Sequence, residues 1–541
     1  MIGVAASTID LQIAGEFFEL FKTAWEPAVP SRRYSVVLST DGRISELDAE
    51  VFLIYRSGED AVDRAAGIAL EPLTGPVDVE WDSSALPIYG SATTFGTAAG
   101  GALIALRGQA LDYRPGTSVG TIRRIGYDLF QEIRHLLTAG QPASKASIPT
   151  LERHIALLRR LLVESKVPFI EILPRPDGSD FICCLTHDVD FFGIRRHRFD
   201  RTLAGFVLRA SVGTLADLVR GRRPLSEAVR NWIALLSLPL VFLGLAPDFW
   251  RPLDDYAAVE DGRRSTFFLV PFKGRPGIAL NGKIEPTRAV PYQASEIRQE
   301  IRAAVTRGSE IATHGIDAWR DAEAGRQERS QLTSVTGGQT GGVRMHWLYY
   351  DTDSPKQLEA AGFDYDSTWG YNDAVGYRAG TSQVFRLPAT ENLMELPLSV
   401  MDSALFYRGR MGLANADAFQ LCVSIVANAR KFGGTLVVNW HDRSLAPERL
   451  WGRFYRRLVD EVSTGDRVWF ATASEAVDWF RWRRSIRFTS DTSTRMVTVT
   501  AAPRDQKMPA AALRIFNPAQ APADPTEELR FDGHEPVRVQ L

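Results

Sequence analysis

The chain has 541 residues with 63 Lys and Arg against 65 Asp and Glu, so it lacks the basic excess that grips phosphates, and no nucleic-acid partner is expected. A hydrophobic fraction of 45% with 24% charged residues excludes a disordered or fibrous protein. The length points to two to four domains, and the three cysteines (Cys183, Cys184 and Cys422), odd in number and set in apolar runs, exclude a disulfide framework and a cysteine zinc site.

Met1 to Lys22 lacks a basic start, an apolar stretch and a small-residue cleavage site, so no secretory signal and a cytoplasmic location are expected. Tyr34 to Leu38, Val51 to Tyr55 and Pro87 to Tyr89 read as strands among Gly and Pro punctuation, and Tyr127 to Val167 turns helical. Residues 1–178 are therefore an N-terminal α/β domain with no legible chemistry.

Residues 179–484 alternate between the two periods. Phe181 to Thr186, Ser265 to Pro271, Glu310 to His314, Gly342 to Trp347, Thr435 to Asp442 and Arg467 to Ser474 are strand-like. Ser295 to Arg307, Ser354 to Ala361, Asn415 to Phe432 and Pro447 to Val462 are amphipathic helices between them. This order predicts an α/β fold with a parallel sheet, closed into a (β/α) barrel if enough strands exist, and an active site at the C-terminal strand ends.

An insertion at about 195–250 interrupts the alternation. Arg195 to Arg230 carries nine arginines against Asp200, Asp217 and Glu227, and the apolar run Trp232 to Ala246 follows, short of a bilayer span and holding Pro239. Two readings stand: a buried helical insertion with a solvated charged face, or a segment making peripheral contact with an anionic membrane. Residues 485–541 read as a small β-rich region that caps the barrel or binds sugar, with strands at Ser485 to Phe488, Met496 to Thr500, Ala512 to Phe516 and Val537 to Val539. No signal for an oligomeric state is present.

Asp188 and Asp190 end the first strand. Residues two apart share a face, so these carboxylates project together while His187 and Val189 point away. Two such anions side by side call for a cation, and a divalent metal would satisfy both; capping of a turn is the alternative. Polar groups recur at later strand ends, in Ser265-Thr266-Phe267-Phe268, Thr313-His314-Gly315-Ile316-Asp317-Ala318-Trp319, Gly342-Val343-Arg344-Met345-His346-Trp347, Tyr365-Asp366-Ser367-Thr368 and Val438-Asn439-Trp440-His441-Asp442-Arg443-Ser444.

As an ordered set over Phe181 to Arg484, these segments resemble the polysaccharide deacetylases, also called carbohydrate esterase family four. Thr186-His187-Asp188-Val189-Asp190 is similar to a variant of that family's first motif found in exopolysaccharide-associated relatives. The resemblance implies a distorted (β/α) barrel, with Asp188 as general base, Asp190 and His314 as ligands of a divalent metal such as zinc, Arg344 orienting the base, and His441 as general acid. A metal-bound water needs a carboxylate to take its proton, and an imidazole suits donation to a leaving amine near neutrality. Four residues after His314, where the family carries a second histidine, this chain has Ala318. Asp317, His346 or water is then expected to complete the metal shell. Asp366 and Ser367 are expected to shape the site, and Asn439 and Arg443 to orient His441 or meet the sugar.

The implied reaction is removal of an acetyl group from an N-acetylated sugar in a polysaccharide, oligosaccharide or lipid-linked saccharide. Two alternatives remain open at this level: a catalytically degenerate barrel that binds saccharide or an assembly partner, and a hydrolase of another non-peptide C–N bond.

Overall fold

The computed structural model describes all residues except 97–101, 116–120, 222, 339, 447, 450, 492–493, 495 and 519–526. The N-terminal region is built on a mainly parallel sheet in the spatial order Asp112–Tyr113, Thr121–Ile125, Asp48–Tyr55, Arg33–Ser39, Ile2–Ala5, Trp25–Pro27. Its inner strands are runs such as Val36-Val37-Leu38 and Phe52-Leu53-Ile54, apolar on both faces because both faces are covered. The flanking helices start where side chains cap them: Ser7 accepts from the amide of Asp10, and Asp128 from those of Phe130 and Gln131. A second, antiparallel sheet lies between residues 70 and 110.

The central sheet holds the strands that position the site: β1 (Phe181–Val189), β2 (Ser265–Leu269), β3 (Glu310–Gly315), β4 (Gly342–Met345), β5 (Tyr365–Asp366), β6 (Met394–Glu395), β7 (Val400–Met401) and β8 (Thr435–Asn439). Parallel pairing runs from β8 through β1, β2, β3, β4 and β5 to β6, while β7 pairs with β8. The sheet curls, and the segment Met394–Met401 serves both ends of it: its first residues bond to β5, with Phe385–Arg386 antiparallel beyond them at the edge, and its last bond to β8. All nine residues of β1 are buried, and β9 (Val468–Phe470) pairs with its first half. Helices between the strands pack their apolar stripes on the outside; Trp451–Ser463 buries Phe454, Tyr455, Leu458, Val459 and Val462. Residues 447 and 450, within the start expected for this helix, lie outside the described residues. Parallel pairing brings the C-terminal ends of the strands to one rim.

The C-terminal strands do not form one appendage. Arg487–Asp491, Met496–Thr500 and Val537–Gln540 make one antiparallel sheet, whereas Ala511–Phe516 pairs with Glu527–Phe531 on one side and Phe169–Pro176 on the other. That second sheet crosses the expected boundary at residue 178. Val497, Val499, Leu513 and Phe531 join the core of the central sheet, so this tail packs as a cap.

The insertion also differs from expectation. It is a helical hairpin, Arg201–Val219 and Leu225–Phe242, and only 17% and 28% of their apolar windows are buried. The reading as a buried insertion is corrected: these helices are largely exposed. By length and composition, though by nothing else, both are long and apolar enough to cross a membrane.

Candidate active site

Asp188 sits at the end of β1, almost wholly buried. Arg344 Nη1 donates to its Oδ1 at 3.0 Å, and Asn439 Nδ2 donates to its Oδ2 at 2.8 Å. Asn439 Oδ1 also accepts from the Asp188 amide at 3.2 Å, so one amide side chain clamps both backbone and carboxylate. Arg344 is itself fixed: Nε donates to the Ser367 carbonyl at 3.0 Å, Nη2 to Ser367 Oγ at 2.9 Å, and the guanidinium lies over Phe268 at 4.2 Å. Burial would push the Asp188 carboxyl up, but Arg344, then His314 and His441, outweigh it and hold it below the usual carboxylate range. The group is therefore an ionised, oriented proton acceptor.

Beside it lies a cluster able to hold a metal. Ligand atoms of Asp190, His314 and His346 all fall within 4.8 Å of one another. Nε2 of His314 and Nε2 of His346 are each 3.4 Å from Asp190 Oδ1. Tetrahedral zinc with bonds of about 2.0 Å places its ligand atoms about 3.3 Å apart, so this spacing is the edge of such a shell. Asp190 Oδ1 is buried with no hydrogen-bond partner, an expensive state that a cation would relieve. His314 Nδ1 lies 2.9 Å from the Arg344 carbonyl, which can only accept, so Nδ1 carries a proton and Nε2 is the nitrogen turned to Asp190. Burial drives the His346 imidazole down to about 3, so it is neutral and able to ligate. The chain turns sharply just after it, with Trp347 and Leu348 in the left-handed region at φ 65° and 55°, a strained conformation for bulky residues that concentrates at functional sites.

His441 closes the opposite side. Its Nδ1 lies 2.5 Å from Asp402 Oδ1 and its amide donates to Asp402 Oδ2 at 2.9 Å. Asp402 is fully buried and also accepts from Ser444 Oγ and the Ser403 amide. Burial would lower the His441 imidazole, but Asp402, then Asp188 and Asp190, raise it well above its ordinary value. With Nδ1 engaged, Nε2 is the nitrogen left to face the cleft as an acid. The cleft has a volume of about 200 Å³ and is walled by these groups together with Trp347, Tyr407, Arg410 and Trp451.

The structure brings together Asp188, Asp190, His314, Arg344 and His441. It does not bring Asp317, which is corrected as a ligand: its Oδ1 accepts from the Ile278 amide at 2.9 Å and so ties down a neighbouring loop. His346, named in the sequence beside Asp317 and water, is the residue that lies with Asp190 and His314. Ala318 is buried in apolar packing near Gly325 and Ala361, with no polar group to offer. Asn439 holds Asp188 rather than His441, and Arg443 stacks on Phe191 at 3.8 Å on the cleft wall. Asp402 and Asp442 escaped sequence reasoning. Asp442 Oδ1 accepts from the Asp190 amide at 3.3 Å, and burial pushes its carboxyl up to about 8. His187 packs away from the cleft, its Nε2 2.9 Å from buried Glu260.

No family model matches the chain, and no curated protein matches it. Solved structures do. A structure from Mycobacterium smegmatis assigned to the polysaccharide deacetylases is 22% identical, over 57% of this chain and 93% of that one, with a TM-score of 0.35. One from Pseudomonas aeruginosa PAO1 assigned likewise is 15% identical, over 56% and 92%, with a TM-score of 0.36. Puue allantoinase is 18% identical, over 57% and 92%, with a TM-score of 0.34. These likenesses are remote, and the functional reading rests on the site's own groups.

Proposed function

We propose that the chain is a metal-dependent hydrolase that removes the acetyl group from an N-acetylated sugar. The observation that carries this reading is the pairing, in one small cleft, of a carboxylate held ionised beside a His-His-Asp cluster with an imidazolium held charged across from it. A divalent cation such as zinc, held by Asp190, His314 and His346, would supply Lewis acidity to the scissile carbonyl and lower the pKa of water.

The chain's own residues then divide the proton work. Asp188 takes the proton of the attacking water, with Arg344 and Asn439 keeping its oxygens aimed. His441 Nε2 gives a proton to the departing amine, and Asp402 stabilises the imidazolium until it does. An amide needs both services, because its amine is a poor leaving group unless protonated. Trp347 and Tyr407, 39% and 38% exposed at the cleft, offer faces for a sugar ring, with Asn372 and Arg410 as hydrogen-bond donors.

The test is acetate release from N-acetylated oligosaccharides by purified protein supplied with zinc, against Asp188→Ala. Equal rates would remove the hydrolase reading. A stoichiometric divalent ion lost on changing His314 to Ala is expected, and no bound ion in either protein would favour a degenerate, binding-only barrel.

A further inference from the structure

The helical hairpin breaks the sorting of apolar residues seen elsewhere. Of the 20 large hydrophobic side chains that are exposed among the described residues, 13 lie between Phe199 and Leu245. They are not scattered. Leu208, Val212, Leu215 and Val219 recur at helical spacing on the first arm. Val229, Ile233, Leu236, Leu240 and Leu243 do so on the second. The opposite face, with Phe206, Ala210, Ala234, Leu238 and Val241, packs against Trp250 and against Ala446 of the central domain. Near the tip, Arg223 Nη2 donates to the Glu448 carbonyl at 3.4 Å. The hairpin thus lies along the domain and does not project from it, which suits a helix pair resting in a membrane interface better than one spanning a bilayer.

Charge points to the same occupant. Exposed Arg198 and Arg201 mark the base of the hairpin, and exposed Arg220 and Arg230 stand toward its tip. The nearby acids are largely engaged within the fold: Asp217 and Glu227 face Arg223, and Asp248 accepts from the amides of Ile194 and Arg195. An apolar strip with arginines at both ends matches anionic headgroups over acyl chains. A second copy laid on this face by a two-fold axis would set arginines against arginines. The hairpin also adjoins the catalytic cleft, because Arg443, Ser444, Arg449 and Trp451, which line the cleft, flank the Ala446 on which its inner face packs.

We infer that the outward face of the hairpin docks the protein on an anionic lipid bilayer and sets the cleft at its surface, where the saccharide is presented on a lipid anchor. The anchor half of the inference rests on the hydrolase reading; the docking half does not. The full chain and a Val219→Ser/Leu236→Ser/Leu243→Ser variant are sedimented with vesicles of phosphatidylcholine alone or with added phosphatidylglycerol. The full chain is expected to bind the anionic vesicles at least about tenfold better than the variant, and less as salt rises. Equal partitioning of the two proteins overturns docking. So does a dimer seen by light scattering that the variant breaks, if the full chain ignores vesicles. With an N-acetylated sugar tethered to a vesicle lipid, the full chain is expected to outpace its own rate on the free sugar about tenfold, an advantage the variant loses; equal rates overturn the anchor half. Vesicle binding without acetate release from either sugar overturns the hydrolase reading and leaves docking standing.

Discussion

The cleft and the hairpin lie side by side and break opposite rules. In the cleft, groups that belong in water are buried: Asp190 Oδ1 and His346 Nδ1 are shut away without a hydrogen-bond partner, and Asp188, Arg344 and Asp402 are almost wholly enclosed. On the hairpin, groups that belong in a core face outward. Folding alone rewards neither arrangement, since an unsatisfied buried polar group costs about 1–3 kcal/mol and an exposed leucine forgoes about 1.5–3 kcal/mol of burial. Each makes sense once something else binds, a cation and substrate in one case and a lipid surface in the other.

The sharpest way to break this contrast is at the cleft. Asp188→Asn keeps the shape but removes the proton acceptor, and is expected to lower kcat/KM by about a thousandfold in acetate-release assays. A loss of less than tenfold would make Asp188 a structural partner of Arg344 only. The metal cluster gives the next effect. His346→Ala is expected to weaken zinc binding by at least the roughly 10–100-fold that outer-shell partners are worth, measured by calorimetry, while Asp317→Ala leaves stoichiometry unchanged. The reverse result would return the third ligand to Asp317.

Smaller and more specific is the effect of Asp402→Asn. His441 works protonated, and Asp402 raises its pKa in the folded protein, so activity should persist above the ordinary imidazole range and fall as pH rises through the raised value. Removing the carboxylate should move that basic limb of the kcat profile to lower pH, whereas an unmoved limb would assign it to another group. Least of all should Leu236→Ser change stability, by less than about 0.5 kcal/mol in urea unfolding, because its side chain is 78% exposed. A large loss of stability there would show that the outer face of the hairpin is covered within the protein itself.

Strands with a near-continuous apolar run, such as Phe181 to Leu185 and Thr435 to Val438, were legible because parallel strands are covered on both faces. The short strands β6 and β7 were not: Met394–Glu395 and Val400–Met401 are two-residue pairings with no run to betray them. Asp402 follows β7 directly, so the partner of His441 was hidden for the same reason. Asp190 and His314 could be read from strand-end position and motif order. Asp317 misled because nearness in sequence to His314 is not nearness in space; past Gly315 the chain leaves the sheet and turns its carboxylate to Ile278. The tail was readable as strands, yet nothing in residues 511–516 announces that they pair with residues 169–176, far back in the chain.

By itself, the sequence determined the alternation of strands and helices, the facing of Asp188 and Asp190, and the unusual arginine-rich and apolar make-up of residues 195–250. These follow from periods of 2 and 3.6 and from composition, which are local. Only the tertiary structure decided that His346 completes the cluster, that Asp402 backs His441, and that the hairpin turns its second apolar face outward. Those outcomes depend on which strands adjoin and which helix face finds a partner, and such contacts join residues tens to hundreds of positions apart.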